Sequence, residues 1–251
     1  MDRESVRRAA EILGRGGVLA LTGAGISVES GLAPFRGQGG LWSKYDPALF
    51  EIDRFYENPK RTWDLMREVF FRDIAKAAPN AAHLALAALE RAGLVDGLVT
   101  QNIDGLHQKA GSRAVVEFHG GLARLRCLQC RGVFPANARA LVRDVPLCGE
   151  CGGTLKPDVI FFGETIAPEV SEAATAMAGR AACILIVGTT GEVMPAAALP
   201  MLAKRAGAAV IEINPSPSRH TPTVTDIFLQ AKAGAAMAAL LEQLGLDAPD
   251  G

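Results

Sequence analysis

A chain of 251 residues can build one large α/β domain, with or without a small insert, and its 26 lysines and arginines against 27 aspartates and glutamates leave a formal net charge of −1. That balance gives no bulk electrostatic footprint for nucleic acid or an anionic membrane, and the apolar runs, such as 181–187, break well short of the roughly 18–20 residues a membrane span needs. Five cysteines without an export signal point to a reducing, cytoplasmic setting, where thiols serve metals or catalysis rather than disulfides.

Ser5 reads as the N-cap of a helix over 6–13, which Gly14, Gly16 and Gly17 stop before the apolar run Val18-Leu19-Ala20-Leu21. Acidic residues among the arginines of this stretch make it a helix and a strand rather than a signal peptide. The strand ends in Gly23-Ala24-Gly25. From 31 to 53 the chain scatters Phe35, Trp42, Tyr45 and Phe50 among Gly and Pro with no sustained period, which reads as a long functional loop. Helical spacing returns over 61–76 and 81–91, and Gly93 stops the second helix before the strand-like 97–100. A further β-prone run, 114–118, ends in His119-Gly120-Gly121. Composition changes over 122–156, which holds four of the five cysteines, many arginines and few large aliphatics, as expected of a metal-stapled insert. Beyond it, strand candidates at 158–162, 183–187, 209–213 and 226–229 alternate with helical stretches at 169–178, 196–204 and 234–244. That alternation predicts an α/β fold with a doubly wound, mostly parallel sheet.

Two motifs carry chemistry of their own. Cys127-Leu-Gln-Cys130 and Cys148-Gly-Glu-Cys151 are CxxC knuckles seventeen residues apart, and together they supply the tetrahedral thiolate set that zinc favours. Four protein ligands leave no open position for water, so the expected zinc is structural. Cys183, in an apolar strand, reads as a core residue. The turn at Gly23, Ala24 and Gly25 could bring backbone N–H groups close to a pyrophosphate, but alone it equally describes a tight turn with no ligand. The dehydrogenase fingerprint also needs a third glycine where this chain has Val28 and an acid ending a second strand, whereas Asp46 falls in the irregular loop. Hydride transfer is therefore disfavoured even with NAD as the ligand.

Taken in order, Gly23-Ala-Gly-Ile-Ser27, Ser30-Gly31, Phe35-Arg36-Gly37, Gln101-Asn102-Ile103-Asp104, His119-Gly120, the cysteine knuckles, Phe162-Gly163-Glu164, Gly188-Thr189-Thr190 and Ile213-Asn214 resemble the sirtuin family. The resemblance covers nearly the whole chain, apart from residues before Leu13 and after Leu244. It implies a Rossmann-like NAD-binding domain (1–35, 79–121 and 157–251), a cofactor loop and helical module (36–78) and a zinc-ribbon insert (122–156). It also implies a reaction that consumes NAD, moving the acyl group of an acyl-lysine onto ADP-ribose with release of nicotinamide and free lysine.

The roles follow the matching positions. His119 is the expected general base for a ribose hydroxyl, and Asn102 the expected partner of ribose hydroxyls and a water. Phe35 should cover the ribosyl centre, with Trp42 and Tyr45 supporting its loop. Arg36 suits the phosphates or a brace for the loop. Gln101 is expected at the ribose, with Ile103 beside it and Asp104 at the nicotinamide carboxamide. Ser27 belongs to the glycine turn, Gly188, Thr189 and Thr190 to the adenosine side, Asn214 to the adenine ribose and Ala233 to the adenine. Ile160 and Phe162 are expected as tunnel wall, and Phe162, Gly163 and Glu164 as the edge that pairs with an extended acylated peptide.

Three departures shape the expectation. Pro34 stands where sirtuins commonly carry Asp or Thr, which removes a hydroxyl or carboxylate and stiffens the loop. Thr190 replaces a usual Ser. The Tyr-x-x-Arg pair of sirtuins that grip succinyl or malonyl groups falls at Met66 and Val69 here, so neutral acyl groups are expected. A protein mono-ADP-ribosyltransferase on the same scaffold is the competing reading, and Asn102 together with His119 favours deacylation.

Overall fold

The computed structural model describes residues 1–37 and 39–247. Its strands are β1 (Val18–Thr22), β2 (Val95–Thr100), β3 (Val115–Glu117), β4 (Gly120–Cys127), β5 (Val133–Pro135), β6 (Leu155–Val159), β7 (Cys183–Val187), β8 (Ala209–Asn214) and β9 (Ile227–Gln230). Six of them form a sheet in the order β3-β2-β1-β7-β8-β9, with every neighbouring pair parallel. The chain winds outward from β1 in one direction and from β7 in the other, so the strand order reverses between them. This is the doubly wound dinucleotide-binding topology, in which ligands bind where the carboxyl ends of the two central strands diverge.

The central strands are apolar on both faces because helices cover both. Val18 and Ala20 of β1, with Cys183, Leu185 and Val187 of β7, pack under helices Arg3–Leu13, Ala81–Arg91 and Ala233–Leu244. The alternate residues Leu19, Leu21, Ile184 and Ile186 face helices Pro168–Arg180 and Leu199–Arg205. A two-residue period within an all-apolar run is what parallel strands buried on both faces require.

Strands β5, β4 and β6 form a second, antiparallel sheet. Its apolar side joins the helices Ile52–Glu57 and Pro59–Met66 in one further core, which includes Phe55, Trp63, Leu125, Leu155 and the thiols of Cys127 and Cys148. Trp63 is fully buried and its indole N–H donates to the Leu155 carbonyl at 2.9 Å. The cysteine-rich segment thus borrows a core from the helical module.

Four expectations need correction. The first helix starts at Arg3, because the Asp2 carboxylate, not Ser5, caps it by accepting from the Ser5 N–H at 2.8 Å. The strand expected at 158–162 runs over Leu155–Val159 and belongs to the antiparallel sheet. Lys156 and Pro157 hide it in the sequence, yet Pro157 needs no ladder donor there and Lys156 is buried with its charge satisfied. The loop over 31–53 is not wholly irregular, since it contains 3-10 turns at Leu41–Ser43 and Pro47–Phe50 and leads into helix Ile52–Glu57. The helix expected over 61–76 starts at Pro59, capped by Asn58, and its middle, Arg67–Phe71, is a π turn. Such turns are frequent at functional sites.

Candidate active site

A cleft of about 1140 Å³ opens at the carboxyl ends of β1 and β7 and extends between the two sheets. It exceeds the roughly 300–1,000 Å³ of an ordinary small-ligand pocket, which leaves room for a dinucleotide and a substrate side chain together. Gly23, Ala24 and Gly25 leave β1 into the 3-10 turn Ala24–Ser30, and Gly188, Thr189 and Thr190 leave β7 on the facing wall.

The glycines of the two loops are required by each other. Gly25 N–H donates to the Gly188 carbonyl at 2.8 Å, and a Cβ on Gly25 would sit 2.7 Å from the Gly188 Cα. Gly188 has φ +66°, and its own Cβ would meet the Ile26 nitrogen at 2.4 Å. Close packing of two loops therefore explains the spacing that resembled half a dehydrogenase fingerprint.

At the end of β2, Asn102 is buried and donates through Nδ2 to the Gly23 carbonyl at 3.2 Å and to Ser27 Oγ at 3.1 Å. Its Oδ1 is a buried acceptor with no partner among the described residues. Such groups in native proteins call for a water or ligand partner, and a ribose hydroxyl is a matching donor. Gln101 Nε2 ties β2 to the opposite loop through Thr189 Oγ1 at 3.1 Å.

His119 follows β3. Its Nδ1 is 3.1 Å from the Gln101 carbonyl, an acceptor only, so Nδ1 carries the hydrogen and Nε2 keeps a free lone pair. Burial pushes its pKa below the ordinary 6.5, partly offset by the Gln101 carbonyl, which favours the protonated ring. The imidazole is thereby held neutral, as a base, at neutral pH. The next residue must be glycine: Gly120 has φ +74°, and a Cβ there would lie 2.1 Å from the Asp158 carbonyl oxygen.

An aromatic array forms the other end of the cleft. Phe35 stands 5.3 Å from Trp42 and 6.1 Å from Phe70, centroid to centroid, and Trp42 is 5.9 Å from Phe162. Trp42 lines the cleft itself and links the Phe35 loop to the Phe162 edge, beyond the supporting role expected of it. Tyr45 does support the loop from outside, donating to Glu68 at 3.0 Å. Phe162 exchanges backbone hydrogen bonds with neighbours of Glu51, accepting from Ile52 N–H at 2.9 Å and donating to the Phe50 carbonyl at 3.0 Å. Arg36 pairs with Glu192 at 3.1 Å across the cleft mouth.

Of the expected site residues, the cleft collects Gly23, Ala24, Gly25, Phe35, Arg36, Gln101, Asn102, Ile103, His119, Gly188, Thr189, Thr190, Asn214 and Ala233, and on the peptide side Met66, Ile160, Phe162, Gly163 and Glu164. Ser27, Asp104 and Val69 are buried but do not line it. Ser27 and Asp104 form a layer behind the wall: Ser27 Oγ donates to Asp104 at 2.7 Å, and Asp104 accepts from Leu106 N–H at 2.9 Å. Sequence reasoning missed Glu29, Phe50, Phe70 and Lys232, which also line the cleft. Phe70 had a signal in its aromatic character, but the match to the Tyr-x-x-Arg pair singled out Met66 and Val69 instead, and both Val69 and Phe70 fall in the π turn Arg67–Phe71. Glu29 and Lys232 carried none, because the contact of Glu29 with the Gly234 N–H, at 2.8 Å, spans 205 positions.

The Sγ atoms of Cys127, Cys130, Cys148 and Cys151 all lie within 4.8 Å of one another, with Cys127 to Cys151 at 3.5 Å and Cys130 to Cys148 at 3.8 Å. A tetrahedron with Zn–S bonds of about 2.3 Å has S···S edges near 3.8 Å, so the set fits zinc. Cys183 is buried in β7, apart from them.

The model of the Sir2 family matches residues 23–195. The chain is 45% identical over 230 residues to "NAD-dependent protein deacylase 2" of Pyrobaculum aerophilum, covering 90% of each chain. It is 41% identical over 251 residues to "NAD-dependent protein deacylase" of Aeropyrum pernix, covering 97% of this chain and 99% of that one. Among solved structures, a mutant Sir2 homologue in complex with ADP-ribose superposes with a TM-score of 0.91 at 38% identity, covering 98% and 97% of the two chains. A Sir2 variant with a deacetylated p53 peptide and 3′-O-acetyl-ADP-ribose superposes at 0.88 with 32% identity, covering 96% and 98%. With the doubly wound crevice, the four-thiol cluster and these matches together, the chain belongs to the Sir2 family.

Proposed function

We propose that the protein is an NAD-dependent protein-lysine deacylase that prefers uncharged acyl groups and converts NAD, acyl-lysine and one water into nicotinamide, free lysine and O-acyl-ADP-ribose. The observation that carries this reading is the convergence, in one cleft, of a neutral His119, the unpaired Oδ1 of Asn102 and a tunnel of aromatic side chains. When bound, NAD supplies the ribosyl carbon that accepts the acyl oxygen, with nicotinamide as its leaving group.

The rest of the chemistry falls to the chain. His119 Nε2 takes the proton of a ribose hydroxyl, while its Nδ1–H is held by Gln101 so that the ring keeps one orientation. Asn102 Oδ1 accepts a ribose hydroxyl and so orients it. Phe35, backed by Trp42 and Phe70, excludes water from the reacting centre, which strengthens the local electrostatics and blocks hydrolysis. Ser27 and Asp104 act through Asn102 by fixing its amide. Arg36 is suited to the phosphates, Ile103 to the nicotinamide side, Gly188, Thr189, Thr190 and Asn214 to the adenosine, and Ala233 to the adenine. Ile160 and Phe162 wall the acyl tunnel, and Gly163 and Glu164 continue the edge that would pair with an extended acylated peptide. The units of this reading are a dinucleotide-binding domain (1–35, 79–121 and 157–251), a covering module (36–78) and a zinc-bearing insert (122–156). Free thiols on the zinc-bearing unit suit a reducing compartment, and the cytoplasm is the proposed location. Among the described residues, no helix is long and apolar enough to cross a membrane.

Acyl preference follows from the tunnel lining, in which Met66, Phe50, Phe70 and Phe162 present no cation to an acyl carboxylate. An unpaired carboxylate entering such a site carries a desolvation cost of several kcal/mol. In a panel of acyl-lysine peptides at fixed NAD, nicotinamide release should be faster with acetyl- than with succinyl-lysine by about 10²-fold or more. Faster turnover of succinyl-lysine would refute the preference.

A further inference from the structure

Lys156, in β6, is 3% exposed. An ammonium tolerates such burial only when its protons are fully met. Here they are: Nζ donates to the Pro157 carbonyl at 3.1 Å and to the Val159 carbonyl at 2.7 Å, and pairs with Glu164 Oε2 at 2.9 Å. It also lies 4.9 Å from the centroid of the Phe161 ring. The same Glu164 oxygen accepts the Phe161 N–H at 2.8 Å. One buried cation therefore ties together residues 157, 159, 161 and 164.

The position of this knot in the chain gives it consequence. Upstream, Leu155 stands opposite Cys127, one of the zinc-set thiols, and its carbonyl is held by Trp63 of the helical module. Downstream, Val159 through Glu164 line the cleft, and Phe162 is bonded to the backbone on either side of Glu51. The segment from Ile160 onward is not part of β6: its backbone is held by separate bonds, Ile160 N–H to the His119 carbonyl at 2.9 Å and the two made by Phe162, and the Lys156 and Glu164 contacts add to them.

We infer that Lys156 is a positioning residue for acyl-peptide binding: its ammonium fixes the backbone of 157–164 and so couples the order of the zinc-bearing sheet to the substrate edge. It touches no reacting atom. The inference rests on the reading of Ile160 to Glu164 as the peptide edge. An ion pair that served stability alone would lower the melting temperature on removal without redistributing the kinetic constants.

The test uses the full, zinc-loaded chain. For Lys156→Met, KM for an acetyl-lysine peptide and the Kd of its fluorescein-labelled form by anisotropy should rise at least about tenfold, as a small misplacement of a binding group produces. KM for NAD should stay within about twofold. Amide exchange at Phe161 and Phe162 should quicken by about tenfold or more, a local opening distinct from global unfolding. Lys156→Arg should recover most of the peptide affinity. The double variant Lys156→Met/Glu164→Gln removes the stranded carboxylate charge, and it should regain stability while still binding peptide weakly. Wild-type peptide affinity and exchange in that folded double variant would overturn the inference. If the unaltered protein bound no acyl-lysine peptide, the reading of the edge would fail instead. Exchange at Phe161 and Phe162 would then decide the bracing role alone, faster exchange supporting it and unchanged exchange overturning it.

Discussion

Replacing His119 with alanine is expected to lower deacylation by about 10²–10⁴-fold, the usual worth of a positioned general base, while zinc content and the melting temperature stay close to those of the unaltered protein. The ring is held by a single backbone bond to Gln101, so its loss costs the fold little. Phe118, which precedes it, is buried and keeps β3 anchored without it. The same histidine sets the acid limb of activity. Its pKa is lowered, so the base form persists below the ordinary histidine range and is lost only as pH falls through that lowered value. The acid limb of kcat/KM should therefore lie below pH 6.5 and vanish from the residual rate of His119→Ala. An acid limb above 6.5, or a variant with undiminished turnover, would contradict the assignment.

The second large effect concerns the metal. Cys148→Ser should abolish stoichiometric zinc and with it the antiparallel sheet, because binding free energies of about 10–16 kcal/mol for structural zinc are folding free energies in segments that lack their own core. Cys127 and Cys148 pack into the core shared with Trp63, Met66 and Leu155, so the damage should spread to the helical module and to the substrate edge beyond β6. Deacylation should be lost although no thiol lines the cleft. Cys183→Ala is the informative control, since it removes a small buried group from β7 and should leave zinc and most activity in place. Metal analysis with thermal denaturation separates the cases. A chelator-treated protein that kept both its melting temperature and its turnover would show that the four thiols are not a structural zinc site.

These expectations differ in how much of them the sequence could carry. The parallel sheet was legible because helices on both faces demand short apolar strands bounded by glycine, and β7 is found where that pattern ends, at Cys183–Val187. The four cysteines were legible because ligand spacing is local. Strand β6 was not, because Lys156 and Pro157 break the strand pattern and are tolerated only through contacts made elsewhere in the fold. Helix Leu106–Lys109 is too short for periodicity to register. Within the site, residues that end strands in glycine turns could be found in order, whereas Glu29, Lys232 and the bridge from Arg36 to Glu192 depend on meetings between distant segments. Asp104 shows what the sequence leaves out: its carboxylate accepts from Ser27 Oγ and the Leu106 amide, one bond on each oxygen, contacts that no local pattern announces.

The most direct test of the deacylase reading is product identification. Mass spectrometry after incubation of the zinc-loaded protein with NAD and an acetyl-lysine peptide should find nicotinamide, the peptide with free lysine, and O-acetyl-ADP-ribose in equal amounts. A protein or peptide carrying ADP-ribose with the acetyl group left in place, or no consumption of NAD at all, would contradict it.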